Sequence, residues 1–191
     1  MELFESIRIK VGYRILLRKI SRIKRKVFYS DISQIKSIGI VWDSSNIDQF
    51  PTLSKFFQKM HESNIDIRII GYFPGKILPD QFTAVRYMTC IRREDINPFY
   101  IPVTAEANNF INYKFDILID INFRKVFPLH YISSLSMACF KVGLYDSEDE
   151  NSPFELMMDI KGPVDIENYL NNIMNYLEMI KSGVKIKKEK K

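Results

Sequence analysis

The sequence is poor in glycine, and it contains no long uninterrupted apolar segment. Seven glycines are spread over 191 residues, and neither G-x-G-x-x-G nor G-x-x-x-x-G-K-[ST] occurs, so no glycine-rich phosphate cradle is present. The apolar run nearest the N-terminus, residues 15–17, ends at an arginine and is too short for a secretory signal. Nothing approaches the roughly 20 apolar residues of a membrane-spanning helix. We therefore expect a cytoplasmic protein.

The few cysteines and histidines do not form a recognisable metal site. Cys90 and Cys139 lie far apart in apolar segments and form no C-x-x-C pair, which is typical of reduced, structural thiols. His61 and His130 have no zinc-ligand spacing. The acidic cluster at residues 146–150 lacks the alternating ligands of a calcium loop. The sequence thus predicts no metal, no cofactor and no catalytic constellation.

Charge is distributed unevenly along the chain. The formal net charge is +5, but residues 1–26 carry nine Lys/Arg against two Glu, and residues 181–191 carry six Lys against one Glu. The segment between them is acidic, with 20 Asp/Glu against 13 Lys/Arg. This pattern indicates an acidic folded domain with two basic ends.

Short apolar runs alternate with segments of helical period over most of the chain. Strands are predicted at residues 37–43, 66–73, 85–91, 115–121, 140–145 and 154–160, and helices at 2–26, 47–63, 103–113, 128–138 and 165–181. Such alternation predicts an α/β fold with three layers and a mainly parallel, Rossmann-like sheet of five to six strands. We expect a basic amphipathic helix and connector at 1–36, one α/β domain at 37–182 and a mobile lysine-rich tail at 183–191.

The N-terminal helix combines an apolar stripe with repeated cations. The simplest interpretation is that the stripe packs on the domain or on a second copy of the chain. Alternatively, the helix contacts an anionic membrane surface at the inner face of the membrane, or nucleic acid. The candidate contacts to an anionic partner are Arg14, Arg18, Arg22, Lys24, Arg25 and Lys26.

Polar residues follow the predicted strands at the edge where doubly wound sheets bind ligands. Asp43 and Ser44 follow the first strand, Asp120 and Asn122 follow the fourth, and His130 lies early in the next helix. These five are candidate ligand-binding residues for a sugar or nucleotide. The alternative is that the strand-end residues cap helices and loops, and that His130 only packs on the sheet.

Several segments resemble an uncharacterised family of short proteins found mostly in Bacteroidota. They are Lys36–Asp43, Ile70–Phe73, Lys114–Ile121, Phe127–Ile132 and Phe140–Gly143. The family has no assigned function, so the resemblance implies an α/β unit and no activity. A fainter likeness to the N-terminal half of heptosyltransferase-type glycosyltransferases implies only a similar fold.

Two functional hypotheses follow. The first, favoured by the charge pattern, is a non-catalytic interaction module that docks through its basic helix and tail. The second is a sugar- or nucleotide-binding protein, or a degenerate glycosyltransferase-like enzyme, that uses the strand ends.

Overall fold

The computed structural model describes residues 2–147, 152–160 and 165–180. Six strands form one sheet in which every neighbouring pair is parallel. The strands are β1 (Ser37–Asp43), β2 (Asp66–Phe73), β3 (Met88–Arg92), β4 (Ile117–Asp120), β5 (Phe140–Leu144) and β6 (Leu156–Met158). Their order across the sheet is β3-β2-β1-β4-β5-β6, so the direction of winding reverses between β1 and β4.

Six α-helices accompany the strands. They are α1 (Glu2–Ile20), α2 (Phe50–Glu62), α3 (Asp80–Thr83), α4 (Ala105–Asn112), α5 (Phe127–Leu135) and α6 (Ile166–Met179). Asp165 accepts hydrogen bonds from the backbone of Glu167 and Asn168 and so caps α6. Every helix within the described residues is too short or too polar to cross a bilayer.

The sheet is covered on both faces because successive strand residues point to opposite sides. In β1, Ile40 and Trp42 belong to one core with residues of α2 and α6. Val41 belongs to a second core with residues of α1, α4 and α5. The predicted three-layer α/β architecture is therefore confirmed, with six parallel strands.

The largest differences from the predicted bounds are local. The N-terminal helix ends at Ile20 rather than residue 26, β3 begins at Met88 rather than residue 85, and a short helix, α3, lies where no helix is predicted. The chain leaves the helix early because tertiary contacts hold the connector: the Phe28 N–H donates to the Cys139 carbonyl. The predicted tail at 183–191 and part of the acidic cluster at 146–150 lie outside the described residues.

Helix α1 packs against α5 through the C-terminal part of its apolar stripe. Leu16 is buried and Ile15 packs against the same core, whereas Phe4 and Ile7, nearer the N-terminus, are exposed. The Tyr13 and Phe127 rings lie 4.6 Å apart between centroids, and Lys19 Nζ donates to the Tyr131 hydroxyl at 2.7 Å. The expected packing on the domain therefore holds for part of the stripe, because the helix has apolar side chains on both sides.

Gly12 allows this close packing. A Cβ at position 12 would lie 2.7 Å from the Phe127 ring and would collide with the Phe99 carbonyl oxygen. Since the second contact is with backbone, the neighbour cannot move away cheaply.

We expect Gly12→Ala to destabilise the protein by about 1–3 kcal/mol, as overpacking does. Helix propensity alone would make the same change stabilising by up to about 1 kcal/mol, so the two effects have opposite signs. Urea unfolding measures the difference, with Lys10→Ala on the exposed side of α1 as the control. An increase in the free energy of unfolding for Gly12→Ala would contradict the packing described here.

Candidate functional site

The carboxyl ends of β1 and β4 meet where the sheet reverses its winding. Val41 pairs with Asp120 in the register of these two strands, and Asp43 is the last residue of β1. In open α/β sheets the crevice beside such a reversal is the usual ligand site. The sequence-derived candidates thus converge on this edge, and their side chains differ in how they are used.

Asp120 is buried and hydrogen-bonded on both carboxylate oxygens. Ser133 Oγ donates to Oδ2 at 2.6 Å, and the Asn122 N–H and side-chain amide both donate to Oδ1, at 3.0 and 2.6 Å. The Asp120 carbonyl accepts from the Tyr169 hydroxyl at 3.1 Å. The residue therefore links β4 to α5 on one face of the sheet and to α6 on the other.

Burial raises the pKa of Asp120 to about 6, although the hydrogen bonds from Ser133 and Asn122 act in the opposite direction. The effect of burial on the pKa exceeds that of these hydrogen bonds, and no cation among the described residues lowers the pKa further. The carboxyl group, at the inner end of the site, is therefore expected to change its charge near pH 6.

Asn122 has a side chain whose orientation is fixed by two acceptors. Its amide nitrogen donates to Asp120 Oδ1 and, at 3.2 Å, to the Val41 carbonyl, so the nitrogen and oxygen cannot be exchanged without losing both bonds. Asn122 Oδ1 is buried and accepts no hydrogen bond from the described residues. A buried acceptor without a donor is unfavourable, so this oxygen favours a bound donor group.

A cleft of about 470 Å³ opens beside these residues, at the carboxyl ends of β4 and β5. Its volume is within the range of small-molecule sites. The lining residues mix carboxylates, cations, hydroxyls and aromatic rings: Asp120, Asn122, Phe123, Arg124, Lys125, Val126, His130, Leu144, Tyr145, Asp146, Ser147, Ser152, Phe154 and Asp159.

Asp43 and Ser44 do not line the cleft. Asp43 accepts from Ser45 Oγ at 2.7 Å and forms an ion pair with Arg124 at 2.6 Å. Its role is therefore to position Arg124, which lines the cleft. Ser44 is fully buried, and its hydroxyl lies 3.3 Å from Cys90 Sγ. The structure therefore groups Asp120, Asn122 and His130 in the cleft and places Ser44 outside it, against β2 and β3.

His130 lies on the first turn of α5, at the boundary between the cleft and α1. Its Nε2 is 3.4 Å from Ser134 Oγ, and its ring is 5.6 Å from that of Tyr13. It is half-buried. These contacts give the imidazole a packing role while one edge borders the cleft. Across residues 2–147, 152–160 and 165–180, no three potential metal ligands among His, Cys, Asp and Glu lie together.

The basic candidates of the N-terminal region have different environments. Arg14, Arg18, Arg22, Lys24 and Lys26 are exposed. Arg25 is held inside the protein, where it donates to the Ala138 carbonyl at 2.8 Å and forms an ion pair with the buried Glu155 carboxylate. The position of Arg25 is therefore that of a structural strap between the connector and the loop before β6.

Sequence reasoning missed several residues that the cleft brings together. Arg124 and Lys125 follow Asn122 in the same loop after β4, so their position at the strand end was an available signal. Tyr145 likewise follows β5. Asp159 follows β6, and the strand predicted at residues 154–160 already placed it near a carboxyl end.

The raised pKa of Asp120 predicts a specific pH dependence of stability. As pH rises from about 4 to 6, the unfolded state loses the Asp120 proton first, so the protein should lose on the order of 3 kcal/mol of stability relative to Asp120→Asn. Urea unfolding of both proteins between pH 4 and 7 measures this difference. Asp80→Asn, which removes an exposed carboxyl group on α3, is the control. A constant difference between the wild type and Asp120→Asn across this range would contradict the assignment.

Comparison with known proteins agrees with the resemblance noted in the sequence. A search of curated proteins finds no match. Residues 8–180 match a family model described as a family of unknown function, DUF6913. The match begins within α1 and spans all six strands, so it includes the cleft and most of the helix packed beside it. The chain belongs to this family of unknown function.

Proposed function

We propose that this protein binds a small polyhydroxylated ligand, of the sugar class, in the cleft beside β4 and β5. The observation that carries the proposal is the buried Asn122 Oδ1, which is fixed in orientation and accepts no hydrogen bond from the described residues. A ligand hydroxyl would supply the missing donor. The pKa and burial of the adjacent Asp120 support a site that is shielded from bulk water.

The charges around the cleft favour a neutral ligand over a nucleotide. Arg124 is paired with Asp43 at 2.6 Å, and Lys125 with Asp146 at 3.1 Å, so both cations have carboxylate partners within the protein. A phosphate would have to compete with these partners. Hydroxyl groups need no such exchange, because carboxylate oxygens such as those of Asp146 and Asp159 can accept from them.

Aromatic side chains complete the match to a sugar. Phe123, Tyr145 and Phe154 line the cleft and offer apolar faces beside the polar groups, the combination that small-molecule sites use. The basic N-terminal helix predicts a docking role for a different surface, the side of α1 turned away from α5. That role does not depend on the cleft.

A thermal-shift screen tests the proposal. We expect a neutral mono- or disaccharide to raise the melting temperature by about 5 °C at roughly 100 times its dissociation constant, and nucleoside phosphates to raise it less. Tyr145→Ala should abolish the shift. Tyr176→Ala is the matched control, because Tyr145 and Tyr176 are 54% and 52% exposed but only Tyr145 lines the cleft.

Equal shifts in the two tyrosine variants would show that the ligand binds elsewhere and would refute the cleft. A larger shift with nucleoside phosphates than with sugars, abolished by Tyr145→Ala, would keep the cleft and replace the ligand class.

A further inference from the structure

The outward side of α1 and the connector after it form a basic surface with exposed apolar side chains. Phe4, Ile7 and Leu17 are 70%, 51% and 49% exposed. At 3.6 residues per turn, Ile7 lies opposite the buried Leu16, so this surface is the side of the helix turned away from α5. Its exposed cations are Lys10, Arg14, Arg18, Arg22, Lys24 and Lys26.

These cations have no carboxylate partner among the described residues, since the ion pairs found there involve other basic side chains. Glu5 lies toward the domain side of α1, where burial, and after it a hydrogen bond to Glu5, raise the pKa of Tyr100. The positive charge of the outward side is thus not neutralised from within the described part of the chain.

The apolar residues are interleaved with the cations rather than separated from them. Leu17 is flanked by Arg14 and Arg18, and Phe28, which is 38% exposed, has Lys26 Nζ 5.3 Å from its ring centre. Phosphate groups of a nucleic acid would use the cations and leave the aliphatic side chains in water. A lipid interface accommodates both, because anionic headgroups attract the cations while the apolar side chains enter the acyl boundary.

We propose that this surface docks the protein on membranes containing anionic lipids. Here α1 has two apolar sides, of which one is covered by α5 and the other is available to the lipid interface. Its inner side fixes the helix to the domain, so the domain would be held in one orientation at the membrane. This explains why both sides of α1 carry apolar side chains, since a helix that contacts two apolar environments has no purely polar face.

Sedimentation of the full chain with phospholipid vesicles tests the proposal. We expect binding to phosphatidylcholine–phosphatidylglycerol vesicles at a molar ratio of about 7:3 and no binding to phosphatidylcholine alone. Arg14→Gln/Arg18→Gln should weaken binding about 25-fold, from about fivefold per cation. Lys55→Gln/Lys59→Gln, which removes two exposed cations from α2, is the matched control and should bind as the wild type does.

The apolar contribution has its own pair of variants. Ile7→Ser/Leu17→Ser should weaken vesicle binding, whereas Ile77→Ser, at an 85% exposed position far from α1 in sequence, should not. Phe4→Trp provides a direct signal, because Trp42 is the single natural tryptophan and is fully buried. The added tryptophan should emit at shorter wavelength on anionic vesicles and not on neutral ones. Circular dichroism verifies that each variant is folded.

Three results would overturn the proposal. They are no binding to anionic vesicles near 0.1 M salt, equal binding to neutral and anionic vesicles, and equal loss in the α1 and α2 charge variants. A mixed-sequence single-stranded RNA is the competing partner. Tight RNA binding that survives Ile7→Ser/Leu17→Ser, together with absent vesicle binding, would assign the surface to nucleic acid instead.

Discussion

The buried carboxyl group of Asp120 is the interaction on which the rest of the structure depends. It stands at the end of β4, where the sheet reverses its winding, and it is bonded to the helix that follows through Ser133. Its backbone carbonyl is bonded to Tyr169 of α6 on the opposite layer. One residue therefore joins all three layers of the fold, and its desolvation is the cost of doing so. The same arrangement fixes Asn122 and with it the inner end of the cleft.

The buried ammonium group of Lys141 binds the other end of α5. Lys141 of β5 is 2% exposed, and its ammonium donates to the carbonyls of Ser133 and Ser134 at 2.7 and 3.0 Å. These carbonyls belong to the last turn of α5, where a cation is favoured by the helix dipole. Helix α5 is thus tied to Asp120 by a side chain and to Lys141 by its carbonyl end, and these two contacts set the wall of the cleft.

Much of the fold follows from the sequence because parallel strands buried on both faces are continuous apolar runs. β1 and β2 have the predicted bounds for this reason. The packing face of α1 follows only in part, since apolar residues occur on two sides of the helix and only tertiary contact distinguishes Leu16 from Ile7. The predicted end of α1 was wrong because the local periodicity continues past Ile20, whereas Arg25 and Phe28 form long-range hydrogen bonds.

The candidate site was partly predictable for a geometric reason. Asp120 and Asn122 could be found because carboxyl ends of parallel strands share one edge. That Ser44 is covered while Arg124 borders the cleft depends on side-chain direction after the strand, which no periodicity encodes. The unpartnered Asn122 oxygen required atomic positions, since it results from two acceptors that both bind the amide nitrogen and so fix the orientation of the side chain.

The strap formed by the connector has a consequence for how the chain folds. Arg25 is bonded to Ala138 across 113 positions, and Tyr29 donates to the Leu177 carbonyl across 148. Loops of this length close at an entropic cost before their contacts stabilise anything. During synthesis, α1 leaves the ribosome long before α6, so its connector cannot form these contacts until α6 has been made. A segment made early is thus late to reach its final place.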